Sequence, residues 1–234
     1  MPNSHDAAPE LQLQRRPCTA AWAAAFGAAL ALLASGAARA GESGPLGDLL
    51  QIVTTPRALL ALAAEGGGDR REALERGERV LWTGSRGLVG VAVTDKRILA
   101  VTTRSAAWQT TRFRRGESAP HVTALGDRVA LVVTDRRLLG FDGGSGNLVE
   151  TSLGLREAFR DARVSANLAV VVTDRRALGL SPFVGGFFEV ALRLGESLEG
   201  LEAVSDVATV TTSQRLLIFR ATSGSWSERL LELR

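Results

Sequence analysis

The chain has 234 residues, 45% hydrophobic and 23% charged, a balance that suits a globular protein with a sizeable core and excludes wholesale disorder. Its sequence pI of about 10.2 sits beside a formal net charge of only +3, because no Tyr, one Cys and very few Lys are available to titrate between His and Arg. Basic residues are dispersed among acidic ones, so the electrostatic footprint of a nucleic-acid site is missing.

Residues 1–40 read as an export signal. Arg15 and Arg16 precede an uncharged stretch from Pro17 to Ala38, and Ala38-Arg39-Ala40 offers the small residues a signal peptidase accepts. A retained anchor is the rival reading; the stretch is nearly long enough to span but is mostly Ala. Cleavage would leave a mature chain with no cysteine, since Cys18 lies in the signal, and an exported product would then hold together without disulfides. The expectation is a periplasmic or secreted protein that does not span the membrane once mature.

From residue 41 onward one pattern recurs five times: "LLQIVTTPRALLAL" (49–62), "LVGVAVTDKRILAV" (88–101), "RVALVVTDRRLLGF" (128–141), "LAVVVTDRRALGL" (168–180) and "VATVTTSQRLLIF" (207–219). Aligned on the last arginine of each turn, the copies place Arg57, Arg97, Arg137, Arg176 and Arg215 at spacings of 40, 40, 39 and 39. Each copy is an apolar run, a short polar turn and a second apolar run. Val129 to Val133 are apolar on both faces and rich in β-branched side chains, which predicts a hairpin strand covered on both sides. Thr134-Asp135-Arg136-Arg137 reverses the chain, with Asp135 expected to accept from turn amides. A short strand before each hairpin and an alternating strand after it, as in "AWQTTRFRRGE" (107–117), bring the count to four strands per repeat. One stretch conflicts: "DRREALERGER" (69–79) has local helix propensity, while its alignment with the other outer strands calls for a strand.

A four-stranded sheet with two apolar faces cannot stand alone, and stacking such sheets radially hides both faces. The repeats resemble the β-propeller superfamily, and "LLGFDGGSGNL" (138–148) is similar to the repeats of pyrroloquinoline-quinone-type propellers in its strand, Asp, Gly-containing turn and strand. The resemblance implies an all-β, five-bladed β-propeller of four-stranded antiparallel blades at 41–78, 79–117, 118–157, 158–197 and 198–234, following the signal segment. Ring closure is expected by packing of the first and last blades, with an incomplete ring that dimerises as the alternative.

Chemistry is less legible. In such a blade the hairpin arginines share a face with Glu78, Glu117, Glu157 and Glu196. The five arginines are candidates either for pairing between neighbouring blades or for an annulus that binds an anionic partner. Inner strands and the loops leading into them offer Trp82, His121, Thr123, Asp161, Arg163 and Glu202. Asp161 and Glu202 are the candidates for a glycosidase-like acid and base in a central channel, and His121 is the one histidine available to a nucleophile. Trp108, Phe187, Phe188 and Trp226 are candidates for core packing or for sugar stacking. Metal-ligand spacings are missing, Gly143 to Gly146 is not followed by a helix pattern, and no cofactor is expected. The favoured function is a non-catalytic binding or scaffold protein of the cell envelope with a protein or glycan partner. An exported hydrolase is the alternative.

Overall fold

The repeated hairpin builds the molecule. In the computed structural model, which describes residues 47–64 and 68–231, each of the five copies folds as two antiparallel strands with a threonine at the turn. The expected export signal and its cleavage site lie outside the described residues. The first sheet holds β1 (Leu50–Thr54), β2 (Ala58–Ala63) and β3 (Arg70–Ala73). The second holds β4 (Val80–Arg86), β5 (Val89–Thr94), β6 (Arg97–Thr102) and β7 (Gln109–Arg112), and the third β8 (Val122–Leu125), β9 (Val129–Val133), β10 (Arg137–Asp142) and β11 (Leu148–Ser152). The fourth comprises β12 (Phe159–Val164), β13 (Ala169–Thr173), β14 (Arg176–Ser181) and β15 (Gly186–Ala191), and the fifth β16 (Leu198–Val204), β17 (Val207–Thr212), β18 (Arg215–Arg220) and β19 (Ser225–Leu230). Every strand pairs with its neighbours in sequence, so each sheet is an antiparallel meander. The position of a fourth, innermost strand in the first sheet falls outside the described residues. The stretch with local helix propensity forms β3 and then a turn, with Gly77 at φ 74°.

The middle pair of strands in the second, third and fourth sheets is buried almost throughout, as a hairpin apolar on both faces requires. Four apolar clusters fill the four junctions between consecutive sheets. Leu59 and Ala61 meet Leu99 and Val101; Ile98 and Ala100 meet Leu139 and Phe141. Val129, Leu131, Val133 and Leu138 meet Ala169, Val171, Leu178 and Leu180, and Val170, Val172 and Ala177 meet Leu217 and Phe219. Burying each such side chain removes it from water at a gain of about 1.5–3 kcal/mol, so the stacking of sheets is driven where the strands are most apolar. Consecutive antiparallel meanders stacked face to face through apolar junctions are the blade arrangement that the repeats imply.

Two features depart from the expectation of a closed ring of equal blades. Among the described residues no apolar cluster joins the first sheet to the fifth. Val53, Leu60 and Leu62 on one side, and Leu216 and Ile218 on the other, are only half-buried. On that face of the fifth sheet Thr209 and Thr211 stand where the fourth sheet has Val170 and Val172, a substitution that lowers the drive to dry it.

The second departure is one of register. Thr55 closes its turn on the carbonyl of Ala58 (2.8 Å), as Thr94 does on that of Arg97 (3.1 Å). Ala58 pairs with Ala73 as Arg97 pairs with Arg112. The structural equivalent of Arg97 is therefore Ala58, and Arg57 corresponds to Lys96.

Close packing makes two glycines obligatory. A Cβ on Gly179 would lie 2.6 Å from three carbons of the Phe219 ring in the next sheet, and one on Gly140 would lie 2.7 Å from Leu180. Gly179→Ala is expected to cost about 1–3 kcal/mol from overpacking. Gly200→Ala, where the nearest atom would be 3.6 Å away, serves as the control, with thermal unfolding as the measurement.

Candidate functional site

The repeated arginine, glutamate and threonine residues meet at the junctions between sheets. Each junction is built from a tight turn that follows an outer strand, and its glutamate closes that turn. The amides of Glu75, Arg114, Gly154 and Arg193 donate to Glu78, Glu117, Glu157 and Glu196 at 2.7, 2.6, 2.6 and 2.6 Å. Gly77, Gly116 and Gly195 supply the left-handed residue of three of these turns, and Arg156 supplies it in the fourth, at φ 64°.

The next hairpin brings the partner. Nε of Arg97, Arg137, Arg176 and Arg215 donates to these four carboxylates at 2.8, 2.9, 2.8 and 3.0 Å. Nη2 of the same arginines donates to the carbonyl that ends the preceding sheet's outer strand, at Ala73, Arg112, Ser152 and Ala191, over 2.6, 2.6, 2.9 and 2.7 Å. Nη1 meets a further carboxylate in each case: Glu72, Glu150, Glu189 or Glu228. The hydroxyls of Thr134, Thr173 and Thr212 donate to the same buried carboxylates at 2.8, 2.9 and 2.6 Å, while accepting the two amides that follow the turn. A flat guanidinium with several fixed donors suits this task, because it ties two sheets and a turn at one point.

The carboxylates are almost wholly out of water. Burial opposes their ionisation, but the guanidinium, the turn amide and the threonine hydroxyl outweigh it, holding Glu78, Glu117 and Glu157 below the usual carboxylate value and Glu196 down to about 2. Arg97, Arg176 and Arg215 are raised in turn, chiefly through these carboxylates, while at Arg137 burial is the largest single influence and Glu117 and Glu150 together overcome it.

Of the five arginines read as a ring, Arg97, Arg137, Arg176 and Arg215 thus have their donors engaged within the protein. Arg57 stands one position earlier in its turn, is exposed, and forms no side-chain hydrogen bond among the described residues. The identity of the residue misled the alignment there; the threonine that closes the turn marks the register. Asp135 also behaves differently from the expectation. It accepts from the amide of Ser118 (2.9 Å), as Asp95 and Asp174 do from Arg79 and Ala158, so the aspartate fastens the inner strand while the threonine holds the turn.

Asp161, Glu202 and His121 make no hydrogen bond with one another among the described residues. Asp161 on β12 accepts from Arg163 (2.7 Å) and from the amide of Ala162 (2.8 Å). Glu202 is exposed on β16, and its side chain has no hydrogen bond among the described residues. His121 lies before β8 with its ring edge on Phe159, the centroids 5.0 Å apart.

The outer-strand aromatics pack between sheets. Trp108 is buried and donates Nε1 to the carbonyl of Arg70 (3.1 Å), Trp226 donates to that of Phe188 (2.9 Å), and Trp226 stacks on Phe219 at 5.0 Å. A repeated sugar-stacking pocket on the outer strands is not formed by them. Glu72, Glu150, Glu189 and Glu228, which complete the junctions, escaped the sequence reading. Three of them lie 13 residues after the arginine they meet, a spacing that follows from the strand pairing.

No family model matches the chain, and no curated protein matches it. Solved structures of β-propeller proteins share a loose similarity. Yeast RCC1 (Prp20) in complex with Kap60 is 10% identical over 75% of this chain and 55% of that one, with a TM-score of 0.39. A HIRA fragment (644–1017) is 13% identical over 62% and 50%, with a TM-score of 0.37, and YCF48 bound to a D1 peptide is 16% identical over 80% and 68%, with a TM-score of 0.32. The chain spans about half the length of the Prp20 and HIRA chains it matches.

Two outcomes are expected of the junctions. Arg137→Met, which strands the buried Glu117, is expected to lower unfolding stability by about 3–5 kcal/mol, against less than about 1 kcal/mol for Arg163→Ala at an exposed pair, both read from urea denaturation. Because the folded pKa of the junction glutamates is depressed below 4.5, their stabilisation is complete above that value and is lost as the pH falls toward about 2. Melting temperatures measured from pH 6 to pH 2 are expected to fall through that window, and Glu196→Gln is expected to flatten part of the decline.

Proposed function

We propose that the folded region is a non-catalytic binding and scaffold module, exported to the cell envelope, that presents the turn face of its sheets to a protein partner. The observation that carries this reading is a pair of leucines. The turns that hold the junction glutamates expose Leu155 and Leu194 at the same position of consecutive junctions, Leu155 at 87% and Leu194 fully. At that position the two earlier turns carry Arg76 and Arg115. Neither leucine contributes to an apolar cluster, so folding gives no reason for an aliphatic side chain at either tip.

Arg136 and Arg156 border one cavity with Leu155, Arg175 donates to the Leu155 carbonyl, and Arg193 directly precedes Leu194, which favours a partner segment with apolar anchors and acidic flanks. The four ring arginines serve this function indirectly, by fixing the spacing between the turns. Export is supported by the residue pattern of the first 40 residues.

The test places a photo-crosslinking amino acid at 155 and at 194 in the full chain, expressed in its own cells, with the exposed position 204 as comparison. A shared adduct at 155 and 194, lost when the neighbouring arginines are changed to glutamate, is the expected outcome. Leu155→Asp with Leu194→Asp is expected to leave stability within about 0.5 kcal/mol and to abolish the adduct. Crosslinks absent at both turns would refute the assignment of this face.

A further inference from the structure

We infer that the gap between the inner strands of the second and third sheets is a binding site for one neutral, aliphatic side chain of an extended peptide, with Trp82, His121 and Thr123 as its polar contacts. The site is separate in its residues from the leucine turns and does not depend on them. Its cavity, about 330 Å³, is lined by Leu81, Trp82, Val93, Ala119, Pro120, His121 and Thr123.

Local structure explains why it opens there. A β-bulge between Val80 and Trp82 brings the exposed Leu81 (53%) and the partly exposed Trp82 (37%) together at the start of β4. Gly84, two residues on, leaves room for the indole to lie along the strand: a Cβ there would sit 2.6 Å from Trp82 Cη2. The opposite wall is the approach to β8, where Pro120 stiffens the chain and His121 is held at Phe159.

Three polar groups are left open to solvent at the rim of the cavity. The other two described tryptophans donate Nε1 to a carbonyl of the preceding sheet. Trp82 Nε1, the His121 imidazole and the Thr123 hydroxyl have no hydrogen-bond partner among the described residues, and all three border the same cavity. Together they offer an N–H donor and two groups able both to donate and to accept, which matches the alternating carbonyl and amide groups of an extended backbone.

The lining also selects the ligand class. It contains no carboxylate, amide, lysine or arginine, so a charged ligand would lose its hydration without compensation. A saccharide carries hydroxyls around its whole rim and needs more polar partners than two side chains and an indole. Five of the seven lining residues are apolar, and the volume holds one aliphatic side chain with its flanking peptide groups.

The test labels the full chain with 5-fluorotryptophan, assigns the Trp82 fluorine signal with Trp82→Phe, and titrates with N-acetyl-leucine methylamide and, separately, methyl β-glucoside. The expected result is a saturable shift of the Trp82 signal by the leucine amide with a dissociation constant of roughly 1 mM, as a ligand of this size allows. The signals of the buried Trp108 and the half-buried Trp226 should stay in place. His121→Ala and Thr123→Val, whose fold the unchanged Trp108 and Trp226 signals would report, should each weaken binding about fivefold. A shift by the glucoside instead would make this a saccharide site, and no shift by either probe at about fifty times the expected constant would overturn the assignment.

Discussion

The structure depends on one arrangement: a carboxylate dried between two sheets and satisfied from both. A buried glutamate without partners would cost several kcal/mol, and a buried arginine as much. Here each neutralises the other, and the remaining donors and acceptors are taken by a turn amide, a threonine hydroxyl and a strand-end carbonyl. The contacts belong to different parts of the chain. The glutamate belongs to the turn that leaves one sheet, while the arginine and threonine belong to the hairpin of the next. The apolar clusters make stacking favourable, and the polar junction fixes where along the stack each sheet stops, since sliding a sheet by one residue would leave a charge unpaired.

That constraint explains which parts of the fold could be read from the residues. Hairpin strands such as "VALVV" and "AVVVT" announced themselves because both faces are apolar, and the period of about 40 announced a stack of sheets. The strand at Arg70–Ala73 was harder, because its propensity is helical and only its place in the repeat argues otherwise; packing against the neighbouring sheet, with Trp108 bonded to the Arg70 carbonyl, prevails over local preference. Arg57 shows the limit of aligning by residue identity. Proline at 56 and arginine at 57 imitate the other turns, yet Thr55 sets the register and puts Ala58 in the arginine's place. The glutamates on β11, β15 and β19 that complete the junctions lay hidden, because their role depends on cross-strand neighbours.

The ends of the stack differ from its interior for the same physical reason. The first sheet lacks the arginine that would reach back to a preceding sheet, and it presents Leu60 and Leu62 half-buried. The fifth sheet offers threonines in place of valines on its free face, and the carbonyl of Leu230, which occupies the place of Ala73, Arg112, Ser152 and Ala191, receives no guanidinium among the described residues. Interior junctions are thus specified twice, by apolar contact and by the ion pair, whereas the two end faces carry neither device in full. The candidate sites follow the same division: residues repeated in every unit hold the sheets, and residues that break the repeat, Leu155, Leu194 and Trp82, are free to meet something else.

A double-mutant cycle at one junction shows whether the buried glutamate and its arginine act as a unit. Glu196→Leu and Arg215→Met, made singly and together in the full chain and measured by urea denaturation at neutral pH, separate a coupled pair from two independent residues. The account expects each single change to cost about 3–5 kcal/mol and the double change to cost far less than their sum, because removing both partners strands no buried charge. Losses that simply add would contradict it, and would mean that the glutamate and the arginine contribute independently rather than as one pair.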